Sequence, residues 1–221
     1  MRFRDRQDAG RQLAEVLGDK YKGRQGIVYP LPRGGVPLGL EVARALEMPL
    51  SLIIPRKIGH PLNPEYAICA VSEGGETVCN EDELAKVDKQ WIEQRVEEER
   101  QESRRRREKY LPGRDPLSLA CKTVILVDDG IATGLTMRAA VRDARERKAA
   151  QIVVAIPVVP HDTAKQLRRE VDDVVALSVD ANYLGAVGAY YDSFIQLTDD
   201  DVIALMSQLD EFGIPLNPPT G

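Results

Sequence analysis

Four apolar residues, Val124-Ile125-Leu126-Val127, run without a break into Asp128-Asp129-Gly130-Ile131-Ala132-Thr133-Gly134-Leu135-Thr136. A short apolar run with no polar alternation, bounded by turn residues, suits a strand buried on both faces of a parallel sheet. Residues 137–147 then carry a helical pattern, so the stretch is a strand–loop–helix unit. In such sheets ligands collect outside the carboxyl ends of the strands, where this loop would lie. The loop offers backbone N–H groups and the Thr133 and Thr136 hydroxyls at a helix N-terminus, a combination suited to a phosphate. Asp128 and Asp129 cannot serve that phosphate. A carboxylate beside a buried strand is costly unless paired or liganded, and these two suit hydroxyls or a cation on another part of the same ligand. A bare Asp-Asp-Gly turn would fit helix capping just as well; the whole ordered string favours a binding loop.

The rest of the chain repeats the alternation. Residues 5–18 show an amphipathic helical spacing at Ala9, Leu13, Val16 and Leu17. Residues 26–29 form a short strand closed by Pro30, residues 38–46 a helix, and residues 50–54 a second buried strand stopped by Pro55. Residues 56–65, rich in Gly, His and Pro, predict a loop. Residues 67–71 and 77–79 flank Glu73-Gly74-Gly75 as a hairpin. Residues 82–109 predict one long charged helix with a thin apolar stripe (Leu84, Val87, Trp91, Ile92, Val96), acids early and Arg104-Arg105-Arg106-Arg107 late, in keeping with the helix dipole. Strands at 152–156 and 174–177, a helix at 162–169, and a last helix capped by Thr198-Asp199-Asp200-Asp201 and reaching about residue 209 complete the pattern. The expected architecture is α/β with a parallel sheet, interrupted by a hairpin and a charged helix. The expected organisation is one domain over residues 1–221, with 66–112 inserted and 178–221 forming a cover and a terminal helix.

Composition excludes several classes. With 221 residues, 43% hydrophobic and 29% charged, the chain can bury a core of ordinary soluble type. A formal charge of −5 gives no general attraction to nucleic acid or anionic membranes. The Arg104–Arg107 run lies in a Glu-rich helix without interleaved aromatics, which favours a solvated face. No apolar signal region or membrane-length run is present. Cys69, Cys79 and Cys121 make no Cys-x-x-Cys pair, so neither a disulfide framework nor a zinc site is expected, and the default setting is a reduced cytoplasm.

Two further segments could carry chemistry. In Pro32-Arg33-Gly34-Gly35 the glycines allow close approach and Arg33 offers a rigid fork of donors for phosphate oxygens. On its own this is equally a tight strand-to-helix turn. Arg56-Lys57 opens the 56–65 segment and could bring two cations to an anion, although a charged surface loop is the commoner meaning of such a pair. His60 and His161 fit solvated or capping roles as well as chemical ones.

Together these residues resemble the type I phosphoribosyltransferases, whose donor is 5-phosphoribosyl 1-pyrophosphate (PRPP). More narrowly, the chain resembles bacterial proteins of that family whose substrate is unsettled. It shares with them Phe3-Arg4-Asp5-Arg6, Pro32-Arg33-Gly34-Gly35-Val36-Pro37, Arg56-Lys57-Ile58-Gly59, Asn63-Pro64-Glu65 and Val127-Asp128-Asp129-Gly130-Ile131-Ala132-Thr133-Gly134. The resemblance implies a type I phosphoribosyltransferase fold with a C-terminal hood. Asp128 and Asp129 would hold the ribose 2- and 3-hydroxyls and take an indirect part in holding Mg²⁺. Ile131, Ala132, Thr133, Gly134, Leu135 and Thr136 would cradle the 5-phosphate. Arg33, Gly34 and Gly35, with Arg56 and Lys57, would bind pyrophosphate, with Lys57 on a flexible loop that closes over the site. A non-proline cis peptide is expected next to Arg33 or Gly34, and an aromatic from Tyr183, Tyr190, Tyr191 or Phe194 could stack on the base, with core packing the alternative for each.

Where hypoxanthine-guanine enzymes carry an aspartate, this chain has Ala132, as adenine enzymes do. Cys69 stands where the related proteins have glycine. The implied activity is transfer of 5-phosphoribosyl to a nitrogen acceptor, a nucleobase being expected, with Asp128, Asp129, Arg33 and Lys57 as the working residues and Mg²⁺ as cofactor. The expected partners are PRPP and that small-molecule acceptor, with no nucleic acid or membrane, and a homodimer is the assembly considered. No side chain stands out as a general base. The alternatives are a non-catalytic PRPP or nucleotide sensor, with the charged helix as its partner surface, and another α/β phosphosugar enzyme that shares only the turn.

Overall fold

The structure is a computed structural model that describes residues 1–75, 77–114 and 116–211; the end of the expected 178–221 region lies outside them. Elements follow in the order α1 (Arg6–Tyr21), β1 (Gly26–Pro30), α2 (Gly35–Leu46), β2 (Arg56–His60), β3 (Asn63–Val71), β4 (Val78–Cys79), α3 (Glu81–Leu84), α4 (Lys89–Tyr110), β5 (Thr123–Val127), α5 (Leu135–Glu146), β6 (Gln151–Pro160), α6 (His161–Glu170), β7 (Asp173–Asp180) and α7 (Asp199–Glu211).

The central sheet runs β1-β5-β6-β7, all parallel. Leu50 extends it past β1 by a single parallel bridge to Val28. After β1 the chain therefore moves to one side of the sheet, and after β5 to the other. The carboxyl ends of β1 and β5 are neighbours at this switch point, where parallel sheets open a crevice. One face buries Leu13, Leu17, Val42 and Leu46 of α1 and α2 with Val202 and Met206 of α7. The other buries Met137, Val141, Ala164 and Leu167 of α5 and α6. Both faces are covered, which is why β5 is buried throughout and apolar from Val124 to Val127. Among the described residues no helix is long and apolar enough to cross a membrane.

Several expectations need correcting. Residues 56–65 are not a loop: β2 and the start of β3 pair antiparallel, with a register shift around Gly59. Gly59 itself packs where an added methyl would stand 2.0 Å from the Pro64 carbonyl oxygen, so the glycine permits an irregular strand instead of ending one. The tip is exposed, with Leu62 at 89%. Residues 50–54 are buried but make no ladder beyond the Leu50 bridge. Their carbonyls are satisfied from α4 instead: Arg107 Nη1 donates to Leu52 O at 3.0 Å and Ser103 Oγ to Ile54 O at 2.5 Å. The expected single helix over 82–109 is two, because Asp88 caps a new start by accepting from Trp91 N at 2.9 Å. Nor is α4 merely a solvated face, since Glu99, Ser103 and Arg107 are buried. Finally, Cys69 and Cys79 face each other across the β3–β4 ladder and are joined by a disulfide. Cys121 alone is free and exposed.

Candidate active site

Two helices begin at the switch point, and neither has a side-chain cap. At α2 the N-cap residue is Gly34, and at α5 it is Gly134 with φ of 80°, the left-handed conformation that glycine adopts without penalty. By contrast Asp5, Asn80 and Asp88 cap α1, α3 and α4. First-turn amides have no partner within their own helix, and at α5 they are left for a ligand. At α2 they are used up, since Gly35 N donates to Leu31 O at 3.0 Å, Val36 N to Arg33 O at 3.2 Å, and Pro37 has no N–H. Between the two ends lies a cavity of about 410 Å³, lined by Leu31, Pro32, Arg33, Pro55, Arg56, Lys57, Arg106, residues 128–134, Thr136 and Val187.

The loop after β1 is held to β5 by Leu31 N donating to Val127 O at 2.8 Å. The Pro32–Arg33 peptide is cis, at one of the expected positions. Gly34 and Gly35 do not line the cavity; they allow its walls to meet. A methyl group on Gly34 would stand 2.1 Å from Asp129 Oδ2, and one on Gly35 would stand 2.5 Å from Val127 O. The loop after β5 is pinned by Ile131 N to Val158 O at 3.0 Å and by the Thr163 hydroxyl donating to Ala132 O at 3.0 Å. Leu135 is buried against Ala70, Val78 and Ala139, so only its backbone is available to a ligand.

The acid pair sits between the two helix ends. Burial pushes the Asp128 carboxyl well above the usual carboxylate range, with the Asp129 charge adding to the effect. Asp129 is pushed up by burial too, while Arg6 and Lys57 pull it back down. Arg6 Nε donates to Asp129 Oδ2 at 2.8 Å, and the Tyr191 hydroxyl donates to Asp129 O. Asp128 Oδ1 accepts from Asp129 N at 2.9 Å.

Four cations, Arg33, Arg56, Lys57 and Arg106, face those two carboxylates around the cavity. The arginines are braced from behind by acids. Arg33 lies 3.6 Å from Asp199, Arg56 Nε donates to Glu99 at 2.9 Å, and Arg106 Nε donates to Glu102 at 2.8 Å. The Tyr110 and Lys109 donors hold the Asp199 carboxyl below its ordinary value, and burial, with the Asp199 hydrogen bond, pushes the Tyr110 hydroxyl up to about 12. Arg105 and Arg106 hold Glu102 down at about 2.

The expected residues thus divide. Asp128, Asp129, Arg33, Arg56, Lys57, Ile131, Ala132, Thr133, Gly134 and Thr136 share one cavity, while Gly34, Gly35 and Leu135 shape it from behind. Lys57, expected on a flexible loop, belongs to a strand of the three-stranded antiparallel sheet β2-β3-β4. The loop histidine His60 caps its own turn, accepting from Leu62 N at 3.1 Å, and His161 is exposed beside Asp162. Tyr190 and Tyr191 are buried, and the Phe194 ring carries the Arg6 guanidinium 3.8 Å from its centroid in place of an open stacking face. The residue missed is Arg106. The signal for it was the polar stripe Glu99, Ser103, Arg106 and Tyr110, which holds to helical spacing once apolarity is not required.

Among the described residues no group of three or more His, Cys, Asp or Glu could hold a metal ion by itself. Two carboxylates beside an anion site nevertheless suit Mg²⁺, which keeps several waters and takes much of its coordination from substrate oxygens.

Residues 4–193 match the family described as phosphoribosyl transferase domain. Proteins from two strains of Mycobacterium tuberculosis, each named "Putative phosphoribosyl transferase", are 40% identical over 208 residues, which is 93% of this chain. The chain spans 46% of their length, about half. A solved structure, that of TT1426 from Thermus thermophilus, is 42% identical with a TM-score of 0.78, covering 93% of this chain and 98% of that one. The switch-point crevice, with its paired aspartates between two uncapped helix ends, therefore stands in a chain that belongs to the phosphoribosyltransferase family.

Proposed function

We propose that the chain is a Mg²⁺-dependent phosphoribosyltransferase that moves 5-phosphoribosyl from PRPP to a nitrogen acceptor, a nucleobase or similar compound, and releases pyrophosphate. The observation that carries this is the order of chemistry across one cavity: an uncapped helix end with two threonines, an acid pair, then four cations. PRPP presents a phosphate, two ribose hydroxyls and a pyrophosphate in the matching order.

In this account residues 131–136 hold the 5-phosphate through α5 first-turn amides and the Thr133 and Thr136 hydroxyls. Asp128 and Asp129 accept hydrogen bonds from the ribose hydroxyls. Arg33, Arg56, Lys57 and Arg106 neutralise the pyrophosphate. The bond from the ribose C1 to the pyrophosphate oxygen breaks, its electron pair leaving with the oxygen, and the acceptor nitrogen supplies the pair for the new bond. Stabilising the charge on the leaving group and fixing the sugar are what this chain contributes. Asp128 and Asp129 would hold Mg²⁺, which would supply part of that neutralisation. Ala132 places no carboxylate near the acceptor, so recognition in the manner of hypoxanthine-guanine enzymes is not part of the proposal.

In the sensor alternative only the outer face of α4, with Glu93, Glu97 and Arg104 exposed, is open to a partner, because the inner face is committed to the site. Ser103, Arg107, Glu99 and Arg106 tie it to the segment under the cavity and to the cavity itself. Pyrophosphate release measured with PRPP, Mg²⁺ and a panel of nitrogenous bases tests the proposal. Release with at least one base is expected; tight PRPP binding with silence across the panel would favour the sensor.

A further inference from the structure

Nothing in the proposed chemistry uses the N-terminal Phe3-Arg4-Asp5-Arg6 segment, yet it sits against the acid pair. Its backbone pairs with the segment before residue 195: Phe3 N donates to Tyr190 O at 2.8 Å, Asp192 N to Phe3 O at 2.8 Å and Ser193 N to Arg4 O at 2.9 Å. Asp5 caps α1, and Arg6 is the first residue of that helix. The Arg6 guanidinium then makes three contacts at once. Nε donates to Asp129 Oδ2 at 2.8 Å, Nη1 donates to Ile195 O at 2.7 Å, and the plane lies on the Phe194 ring. Both partners of the ion pair are largely shielded, with side-chain exposures of 12% and 14%.

A packed guanidinium with two directional bonds fixes its partner far better than a surface charge does. Asp129 is fixed from three sides: Arg6 on the carboxylate, Tyr191 on its carbonyl, and the bare Cα of Gly34 against the carboxylate. Asp128 has no such clamp; among the described residues its carboxylate accepts from the neighbouring Asp129 amide and no side chain donates to it. Asp129 lines the cavity whereas Arg6 does not. Arg6 therefore reaches the carboxylate from outside this cavity; it lines a separate one with Asp5, Gln7 and Pro37.

We propose that Arg6 is the positioning residue for Asp129, holding that carboxylate in the orientation that receives the ribose hydroxyls and tying it to α1 and the 190–195 segment. The inference rests on the PRPP assignment above. It differs from a purely structural staple in what it predicts. A staple would affect folding and all ligands alike, whereas a positioning residue affects the sugar and spares the pyrophosphate.

The test is calorimetry, titrating PRPP with Mg²⁺ and, separately, inorganic pyrophosphate without Mg²⁺ into wild type, R6M, R6K, D129N and the R6M/D129N double variant. R6M should lose about 10- to 100-fold in PRPP affinity, the range for a charged hydrogen bond, with pyrophosphate affinity within about twofold of wild type. R6K, which keeps the charge without the two-way fork, should fall between. The double variant should bind PRPP no worse than the weaker single one, because both remove one interaction. If R6M does not fold, the R6K and R6K/D129N pair carries the same comparison. Wild-type affinity in R6M, equal losses for PRPP and pyrophosphate, or losses that multiply in the double variant would overturn the proposal. Wild type that binds no PRPP is a different result: it overturns the functional assignment, and this proposal with it.

Discussion

Adding one methyl group at Gly34 and, separately, at Gly35 should produce opposite symptoms. Gly34 has φ of −62° and ψ of −37°, which alanine adopts freely, so backbone strain plays no part. What the methyl meets is Asp129: 2.1 Å from Oδ2, 2.5 Å from Cγ and 3.0 Å from Oδ1. Contact needs roughly 3.4 Å, so the carboxylate must retreat by more than about 1 Å. That carboxylate is bonded to Arg6 at 2.8 Å, and the retreat cannot keep this bond while holding the cavity geometry. Losing a charged hydrogen bond costs ~1.5–3 kcal/mol, or ~10- to 150-fold in affinity, and a misplacement of ~1 Å can cost ~100-fold in rate.

At Gly35 the methyl meets backbone: Val127 O at 2.5 Å and the Asp128 Cα at 3.1 Å. Val127 O already accepts from Leu31 N, so α2 would have to move off the end of β5. Overpacking of this kind costs about 1–3 kcal/mol, or roughly 2–10 °C of melting temperature in a chain this size. The assays are calorimetric PRPP·Mg²⁺ binding and thermal melting. G34A should bind PRPP at least about 10-fold more weakly, whereas G35A should lose melting temperature with the smaller loss of affinity. G34A with wild-type affinity would refute the placement of Asp129 against the β1 loop.

Other substitutions probe separate parts of the account. Asp128 is half-buried with its carboxyl pushed up by desolvation, so D128N should leave the melting temperature of the ligand-free protein at or above that of wild type while weakening PRPP binding, measured on one preparation. Asp199 is held below 3.8 by Tyr110 and Lys109. A depressed carboxyl contributes stability that is complete above pH 3.8 and lost as pH falls through its lower folded value. The melting-temperature deficit of D199N should therefore be present at pH 7 and shrink below pH 3.8. R106A should weaken pyrophosphate binding by roughly 10-fold without moving the melting temperature comparably. Thiol titration of the native protein should find Cys121 alone reactive, with all three cysteines reacting after reduction and unfolding; three reactive thiols at the outset would contradict the Cys69–Cys79 bond.

The parts of this site that were legible in the sequence are those whose chemistry is carried by backbone. A glycine at a helix start, a threonine within the first turn, and an acid pair after an apolar strand are local facts. Their local order fixed both the strand–loop–helix unit and its place at the crevice. What could not be read locally was tertiary compensation. Arg56-Lys57-Ile58-Gly59-His60 has loop composition, yet pairing with β3 makes it a strand, and a register shift absorbs Gly59. The buried face of α4 is polar because it satisfies the Leu52 and Ile54 carbonyls, which lack a neighbouring strand. A search for apolar periodicity passes over such a face and so leaves Arg106 on the surface. The disulfide was legible in principle: Cys69 and Cys79 are equidistant from Gly74 at the centre of the predicted hairpin turn, which places them opposite one another.

The central claim is that one cavity grips PRPP at three points, with the aspartates at the middle one. Its most direct measurement is a calorimetric titration of PRPP with Mg²⁺ into wild type and into D128N/D129N, with folding of both checked by melting. The account predicts one saturable site per chain in wild type and a loss of binding of about 100-fold or more in the double variant. Absence of binding in folded wild type, or equal binding by the double variant, would contradict it.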